Sequence, residues 1–521
     1  MITLTGDTLT VEEVVAVARH GEEVSLSPEA RARVERAHRW VQDIVTAGKP
    51  VYGINTGFGI FADRRISGEA SAQLSRNLIL SHAVGTGDPL PPEVVRAAML
   101  IRANTLSRGH SGTRPAVIDT LLEMLNRGVT PCVPSQGSLG SSGDLAPLSH
   151  VALVMTTDAA DREEESGRAW YGGELTSGAA AMRAAGIPRL VLGPKEGLAL
   201  NNGATFSAAL AALTVWDAYN LLETAEITLA MSLEALLGAS AAFDPRLHAA
   251  RNHPGQIHTA TRVRSLTDAS TLVDAAGRVQ DAYSLRCAPQ VQGAARDTLD
   301  FVAQVVGREI NAATDNPLLF APGIALSGGN FHGEPVGMAM DFLAIALAEI
   351  AAISERRVFR LTDGKLNAGL PPMLVDTPEA AGLNSGMMMP QYTAASLVLE
   401  NQTLAAPDSV HSLPTSAEQE DHNANAMTAA RHTRQIAGNT AHCLAIEAYC
   451  AARALDLRLR DFPEGRMGRG VAAAHQAVRA LVPYRAGDAW WGPEIERVRE
   501  SIVTGEFVRR VRQAVAGEEL P

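Results

Sequence analysis

Four stretches of the chain carry apolar residues at helical spacing or on nearly every side. Phe206 to Leu237 is rich in Ala and Leu and lacks Pro and Gly, with Asp217, Glu223, Glu226 and Glu234 as rare charges. Between Gly293 and Ala313 the apolar positions Leu299, Val302, Val306 and Ile310 follow the 3.6-residue period of a helix. Further helices are predicted over about Val336–Phe359, apolar all round through Phe342–Ala348, and over about Asn425–Leu457. Helices apolar on all sides must be buried among other helices or subunits. The pattern therefore predicts a mainly α protein built on a long central helical bundle, and it points to oligomerisation.

The first hundred residues read differently. Turn residues crowd Tyr52-Gly53-Ile54-Asn55-Thr56-Gly57-Phe58-Gly59, and Pro and Gly also punctuate Thr130–Pro147, Pro322–Gly337 and Asp363–Gly386. None of these is a Gly/Ser tract of linker length, so they read as loops between helices. The simplest partition is a mixed N-terminal domain, residues 1–108, followed by a helical-bundle domain, residues 109–521.

Composition narrows the function classes. Across 521 residues, 46% apolar and 20% charged residues exclude a disordered chain. Lys plus Arg is 45 against 57 for Asp plus Glu, a net charge of −12, so the chain has no bulk attraction for nucleic acid or anionic membranes. Cys132, Cys287, Cys443 and Cys450 form no C-x-x-C pair, which argues for a reduced, cytoplasmic protein. Asp7, Glu12 and Glu13 stand where a secretory signal needs a basic start and an apolar run. The longest uncharged stretch, Gly197 to Trp216, is interrupted by Asn201, Asn202, Gly203, Thr205 and Ser207, so it reads as a buried segment and not a bilayer span.

Nucleotide and metal signatures are missing: there is no G-x-x-x-x-G-K-[ST], no G-x-G-x-x-G between strand and helix, and no H-E-x-x-H. The most unusual stretch is Pro134–Pro147, where Gly137, Gly140 and Gly143 recur every third residue with Ser138, Ser141 and Ser142 between them. Three readings are open from the residues alone. Glycine supplies positive φ in a tight loop; successive backbone N–H groups form an anion-binding nest; or a compressed Ser-Gly turn cyclises, because glycine's unhindered nitrogen reaches the carbonyl two residues back.

Gly140-Ser141-Ser142-Gly143-Asp144-Leu145-Ala146-Pro147-Leu148-Ser149-His150 closely resembles the signature of the histidine/phenylalanine/tyrosine ammonia-lyase family. The resemblance runs from about residue 50 to 460. It includes the Tyr52 block, Asn77–Ala83, Glu196–Gly203, Val279–Cys287, Gly329–Gly333 and Gln419–His422, in family order. It implies the fumarase/aspartase-like ammonia-lyase fold and a homotetramer whose active sites draw on three subunits. It also implies that Ser141, Ser142 and Gly143 become a 4-methylidene-imidazol-5-one (MIO) ring: the Gly143 nitrogen attacks the Ser141 carbonyl, two waters leave, and the loss of the Ser142 hydroxyl leaves an electrophilic methylidene. No external cofactor and no metal is then expected. Ser141 replaces the commoner Ala, but its side chain lies outside the ring.

The same resemblance makes Tyr52 the base for the β-proton and places Asn202, Gln280 and Phe331 around the imidazolone. Arg286 suits the substrate carboxylate, which guanidinium binds through a bidentate fork, with Asn202 and Tyr283 beside it. Each residue keeps a structural alternative: Tyr52 in the core, Phe331 in packing, Arg286 paired with Asp281, Asn202 capping the helix that begins near Thr205. Addition of the substrate amine to the methylidene, rather than of the ring, directly improves the leaving group.

Ser81-His82 and Glu420 resemble the histidine lyases. A carboxylate and an imidazole suit a polar substrate ring and would be left unpaired against phenylalanine. The expected reaction is L-histidine to trans-urocanate and ammonia. Ala204, His411 and Asn423-Ala424-Asn425 depart from the family's usual residues close to the pocket, and the alternatives are a tyrosine or phenylalanine lyase, an MIO-dependent 2,3-aminomutase and, outside enzymes, a helical scaffold.

Overall fold

The computed structural model describes residues 1–48, 50–57, 64–67, 70–160 and 162–516. Among them are 19 α-helices and 11 strands of two to four residues, the strands gathered in five small sheets of two or three. The mainly α expectation holds. The four long helices are Thr205–Ala235, Ala288–Glu309, Glu334–Thr362 and Ala426–Asp461, against predicted ranges of 206–237, 293–313, 336–359 and 425–457.

Local signals set many of the shorter elements. Helix Val11–His20 opens on a capping box, in which the Thr10 hydroxyl accepts from the Glu13 N–H while the Glu13 carboxylate accepts from the Thr10 N–H, and it closes on left-handed Gly21. Helix Pro28–Ala47 starts behind Ser27 with Pro at its first position.

Packing divides the chain into two compact units. The first comprises Met1–Trp216, Val302–Asp341 and Pro407–Arg431; the second comprises Asp217–Phe301, Phe342–Ala406 and His432–Pro521. Residue 108, where the change in sequence texture placed a boundary, lies inside the first unit. Hydrogen bonds across that point explain why. Asn104 donates to the Ile310 carbonyl (2.8 Å), Arg108 to the Asn311 carbonyl (2.6 Å), and the Leu9 N–H to the Asn311 side chain (2.9 Å).

The first unit is centred on helix Pro92–Ser107, whose residues Val94, Val95 and Ala97–Ser107 are buried, and which packs against Val11–His20 and Pro115–Arg127. It also buries a Lys195–Asp315 ion pair at 2.5 Å, both side chains fully covered. The second unit holds a buried carboxylate, Glu447, which accepts from Arg357 (2.8 Å to Oε2), Ser232 (2.7 Å), Ser354 (2.7 Å) and Thr228 (2.9 Å). Such full satisfaction is what makes a buried charge tolerable.

Candidate active site

The Ser/Gly-rich loop ends where helix Leu145–Met155 begins, and a second glycine backbone grips it. Gly143 has φ +83°, and a Cβ built on it would lie 2.2 Å from the Gly203 backbone, so only glycine fits there. The contact is a short parallel bridge in which the Gly203 N–H faces the Ser142 carbonyl at 3.4 Å and the Asp144 N–H donates to the Gly203 carbonyl at 2.9 Å. Both bonds use the peptide groups beside Gly143 and leave its own nitrogen out.

Asp144 anchors the loop from below. Its fully buried carboxylate accepts from the Ser138 hydroxyl (2.7 Å), the Ser207 N–H (2.8 Å) and the Ser207 hydroxyl (3.0 Å). Burial still pushes its pKa above the usual carboxylate range. Asp144, and not Asn202, therefore serves the first turn of helix Thr205–Ala235. Asn202 instead turns its amide onto the Ser142 carbonyl at 2.6 Å.

The two serines of the tripeptide both engage the segment that follows Pro407. Ser142 Oγ donates to Glu420 Oε1 at 2.6 Å, and Thr415 Oγ1 donates to the other carboxylate oxygen at 3.0 Å. Ser141 Oγ donates to Asn423 Oδ1 at 2.5 Å and accepts from the Ala424 N–H at 3.1 Å.

A cavity of about 1180 Å³ opens over this loop, and the described residues that line it belong to the first unit. Tyr52, His82, Ser141, Ser142, Asn202, Phe331 and Glu420 all line it, from segments spread over more than three hundred residues of chain. Phe58 and Gly59, which complete the Tyr52 block, lie outside the described residues. His82 ends helix Ser71–His82, its Nδ1 3.0 Å from the Ser81 hydroxyl. Burial lowers its pKa, against opposing pulls from the Leu78 backbone and the Glu420 charge. A neutral imidazole offers one donor and one acceptor.

Gln280, Tyr283 and Arg286 do not line this cavity; they belong to the second unit. Gln280 is exposed, Tyr283 is 69% exposed, and the Arg286 guanidinium sits 4.6 Å from the Tyr283 ring centroid. Arg286 does not pair with the Asp281 carboxylate: its Nε donates to the Asp281 backbone carbonyl (2.8 Å), while Arg278 and the Ala239 N–H occupy the carboxylate. The residues that sequence reasoning missed are Thr415 and Asn423 as side-chain partners of the site and Asp144 as its buried anchor. No periodicity marks them, because their roles arise only from contact.

Comparisons with known proteins give the family. The aromatic amino acid lyase family model matches residues 9–480. The chain belongs to that family. It is a carbon–nitrogen lyase by that membership. The histidine ammonia-lyase of Gloeobacter violaceus is 49% identical to it over 517 residues, covering 98% of each chain. Among solved structures, the histidine ammonia-lyase from Trypanosoma cruzi superposes with a TM-score of 0.89 at 36% identity, covering 100% of this chain and 98% of that one. The tyrosine aminomutase from Streptomyces globisporus gives 0.92 at 35% identity, covering 100% and 99%. The mainly α fold is thus the one shared by the family's lyases and aminomutases.

Proposed function

We propose that the protein eliminates ammonia from L-histidine to give trans-urocanate, with MIO formed from Ser141, Ser142 and Gly143 as its electrophile. The observation that carries this reading is the position of Ser142. Its carbonyl receives Asn202, its hydroxyl meets Glu420, and both contacts lie in the wall of a cavity that also holds Tyr52 and His82.

The residues fit ring formation. As the Gly143 nitrogen bonds to the Ser141 carbonyl carbon, the carbonyl oxygen leaves as water with the amide hydrogens of Gly143 and Ser142. The Ser142 hydroxyl then leaves with the Ser142 α-hydrogen as the second water. Gly143 lacks the Cβ that would block the approach, and its nitrogen is not spent on the bridge to Gly203. Asn202 Nδ2 and the Gly203 N–H converge on the Ser142 carbonyl oxygen, where negative charge would collect. When present, the group supplies an electrophilic methylidene that takes the substrate amine and makes it a better leaving group.

The chain's other residues do the rest. Tyr52 removes the β-proton. His82 and Glu420 pair with the two ring nitrogens of the substrate, and Phe331 packs beside its ring. Arg286, with Tyr283 and Gln280, holds the carboxylate; because none of the three lines this chain's cavity, we assign them to a neighbouring subunit of a homotetramer. The likeness to a tyrosine aminomutase supports a second reading, in which ammonia is returned to the β-carbon of an aryl substrate.

Intact mass and substrate assays test the proposal together. The wild type should be two waters lighter than its sequence, Ser142→Ala should not, and L-histidine should yield an acrylate absorbance that L-tyrosine and L-phenylalanine do not. An unmodified wild-type mass, or turnover of L-tyrosine with L-histidine inert, contradicts it.

A further inference from the structure

The tripeptide touches the segment 411–425 at two points, and the two contacts have different fates. Ser142 Oγ holds Glu420, where the segment's turn closes on Thr415 (2.6 Å). Ser141 Oγ holds Asn423, at its buried root (2.5 Å). On the reading given above, the Ser142 hydroxyl departs as water, so the first contact disappears as the protein matures. Glu420 Oε1 then loses its donor, while Oε2 keeps the Thr415 hydroxyl at 3.0 Å.

We propose that the Ser141–Asn423 hydrogen bond is the clamp that keeps Glu420 in register with the tripeptide once Ser142 has lost its hydroxyl. Ser141 and Asn423 are thus positioning residues for recognition of the substrate ring, and the proposal rests on the functional reading above.

Ser141 Oγ is only partly redundant with other contacts. It also lies 3.2 Å from the Leu139 carbonyl, but its single proton is better placed on Asn423 Oδ1, and its lone pair accepts the Ala424 N–H at 3.1 Å. Both Ser141 and Asn423 are buried, at 4% and 1% exposure, so removing the hydroxyl strands a carbonyl oxygen and an N–H away from water. Asn423 in turn fixes the returning strand. Its N–H donates to the Ser412 hydroxyl at 2.8 Å and its amide donates to the Leu413 carbonyl. Between these anchors, Thr415 and Glu420 pair backbone to backbone (2.8 and 3.2 Å) and close the turn that presents the carboxylate. From Ser141 the hydrogen bonds run through Asn423 to Ser412 and Leu413, the chain itself carries on through Pro414, and hydrogen bonds resume between Thr415 and Glu420. Residues 141 and 423 stand 282 positions apart in the chain, and here their side chains meet.

The test uses full-length Ser141→Ala, Ser141→Thr, Asn423→Ala and the Ser141→Ala/Asn423→Ala double variant. Intact mass comes first, then KM and kcat for L-histidine, then hydrogen–deuterium exchange over 411–425. All variants should keep the two-water deficit. Each alanine variant should raise KM about tenfold with a smaller fall in kcat, as expected for a buried hydrogen bond lost from a binding element. The effect of the double variant should fall short of the product of the two single effects, because the shared Ser141–Asn423 bond is lost in each single variant. Ser141→Thr, which keeps the hydroxyl, should restore wild-type KM, and exchange over 411–425 should quicken in Ser141→Ala. An unchanged KM, multiplying effects in the double variant, or loss of the mass deficit in Ser141→Ala would overturn the clamp alone. A wild type of unmodified mass would overturn the functional reading beneath it.

Discussion

The side-chain amide of Asn202 donates to the backbone carbonyl of Ser142 at 2.6 Å, from a residue sixty positions along the chain. The Gly203 N–H approaches the same oxygen at 3.4 Å, so two donors converge on one carbonyl at the base of the cavity. Donors fixed in place before charge develops cost no reorganisation during reaction.

Asn202→Ala should therefore lower kcat by about 10²-fold, the usual effect of removing one such donor, with KM changing far less. Steady-state kinetics on L-histidine check this, using protein whose intact mass shows the two-water loss.

Gly143→Ala should prevent the mass change altogether. The added methyl would lie 2.2 Å from the Gly203 backbone, and left-handed backbone costs a non-glycine residue about 1–2 kcal/mol besides. Mass spectrometry of the soluble fraction should find the unmodified sequence mass and no turnover.

Glu420→Gln should shift selectivity away from histidine. The carboxylate accepts from Ser142 and Thr415, and a carboxylate accepts a substrate ring N–H more strongly than the neutral amide that would replace it. The kcat/KM ratio for L-histidine over L-phenylalanine should fall by at least about tenfold.

Glu309 should make stability depend on pH. Burial and the nearby Asp144 charge push its carboxyl up to about 7, with Arg102 pulling the other way. Between its ordinary 4.5 and that value the folded chain holds the proton more tightly than the unfolded chain, so the stability contributed falls as pH rises through this window. Glu309→Gln should melt higher than wild type at pH 8 and show no such gain at pH 4.5, which thermal unfolding at the two pH values would reveal.

Mixed oligomers test where Arg286 acts. Ser142→Ala and Arg286→Ala proteins should each be inactive alone, yet regain part of the activity when co-expressed, because some sites then combine intact residues from different chains. No regain would place Arg286 with its own chain's tripeptide.

Much of the fold was legible because apolar residues on every face of a helix leave a strong pattern. Phe206–Leu237 is the clearest case: without Pro or Gly it has no other economical conformation, and the helix runs Thr205–Ala235. Ala288–Glu309 begins five residues before its predicted start, since Pro289, Gln290 and Gly293 dilute the periodicity of its first turns. The break near residue 108 reflects texture and not packing, because Asn104 and Arg108 hydrogen-bond to residues two hundred positions away. Tyr52, His82, Asn202, Phe331 and Glu420 were legible as motif positions, and they meet in one cavity.

The sequence by itself determined the mainly α architecture, the family, and the tripeptide of Ser141, Ser142 and Gly143, because helix periodicity and short motifs are written in adjacent residues. Tertiary structure alone decided that Asp144, not Asn202, serves the long helix, that Asn202 faces the Ser142 carbonyl, and that Ser141 meets Asn423 across 282 positions. It also decided that Gln280, Tyr283 and Arg286 fall in the second compact unit. Those outcomes depend on which buried donor finds which acceptor, and a one-dimensional pattern holds no record of that choice.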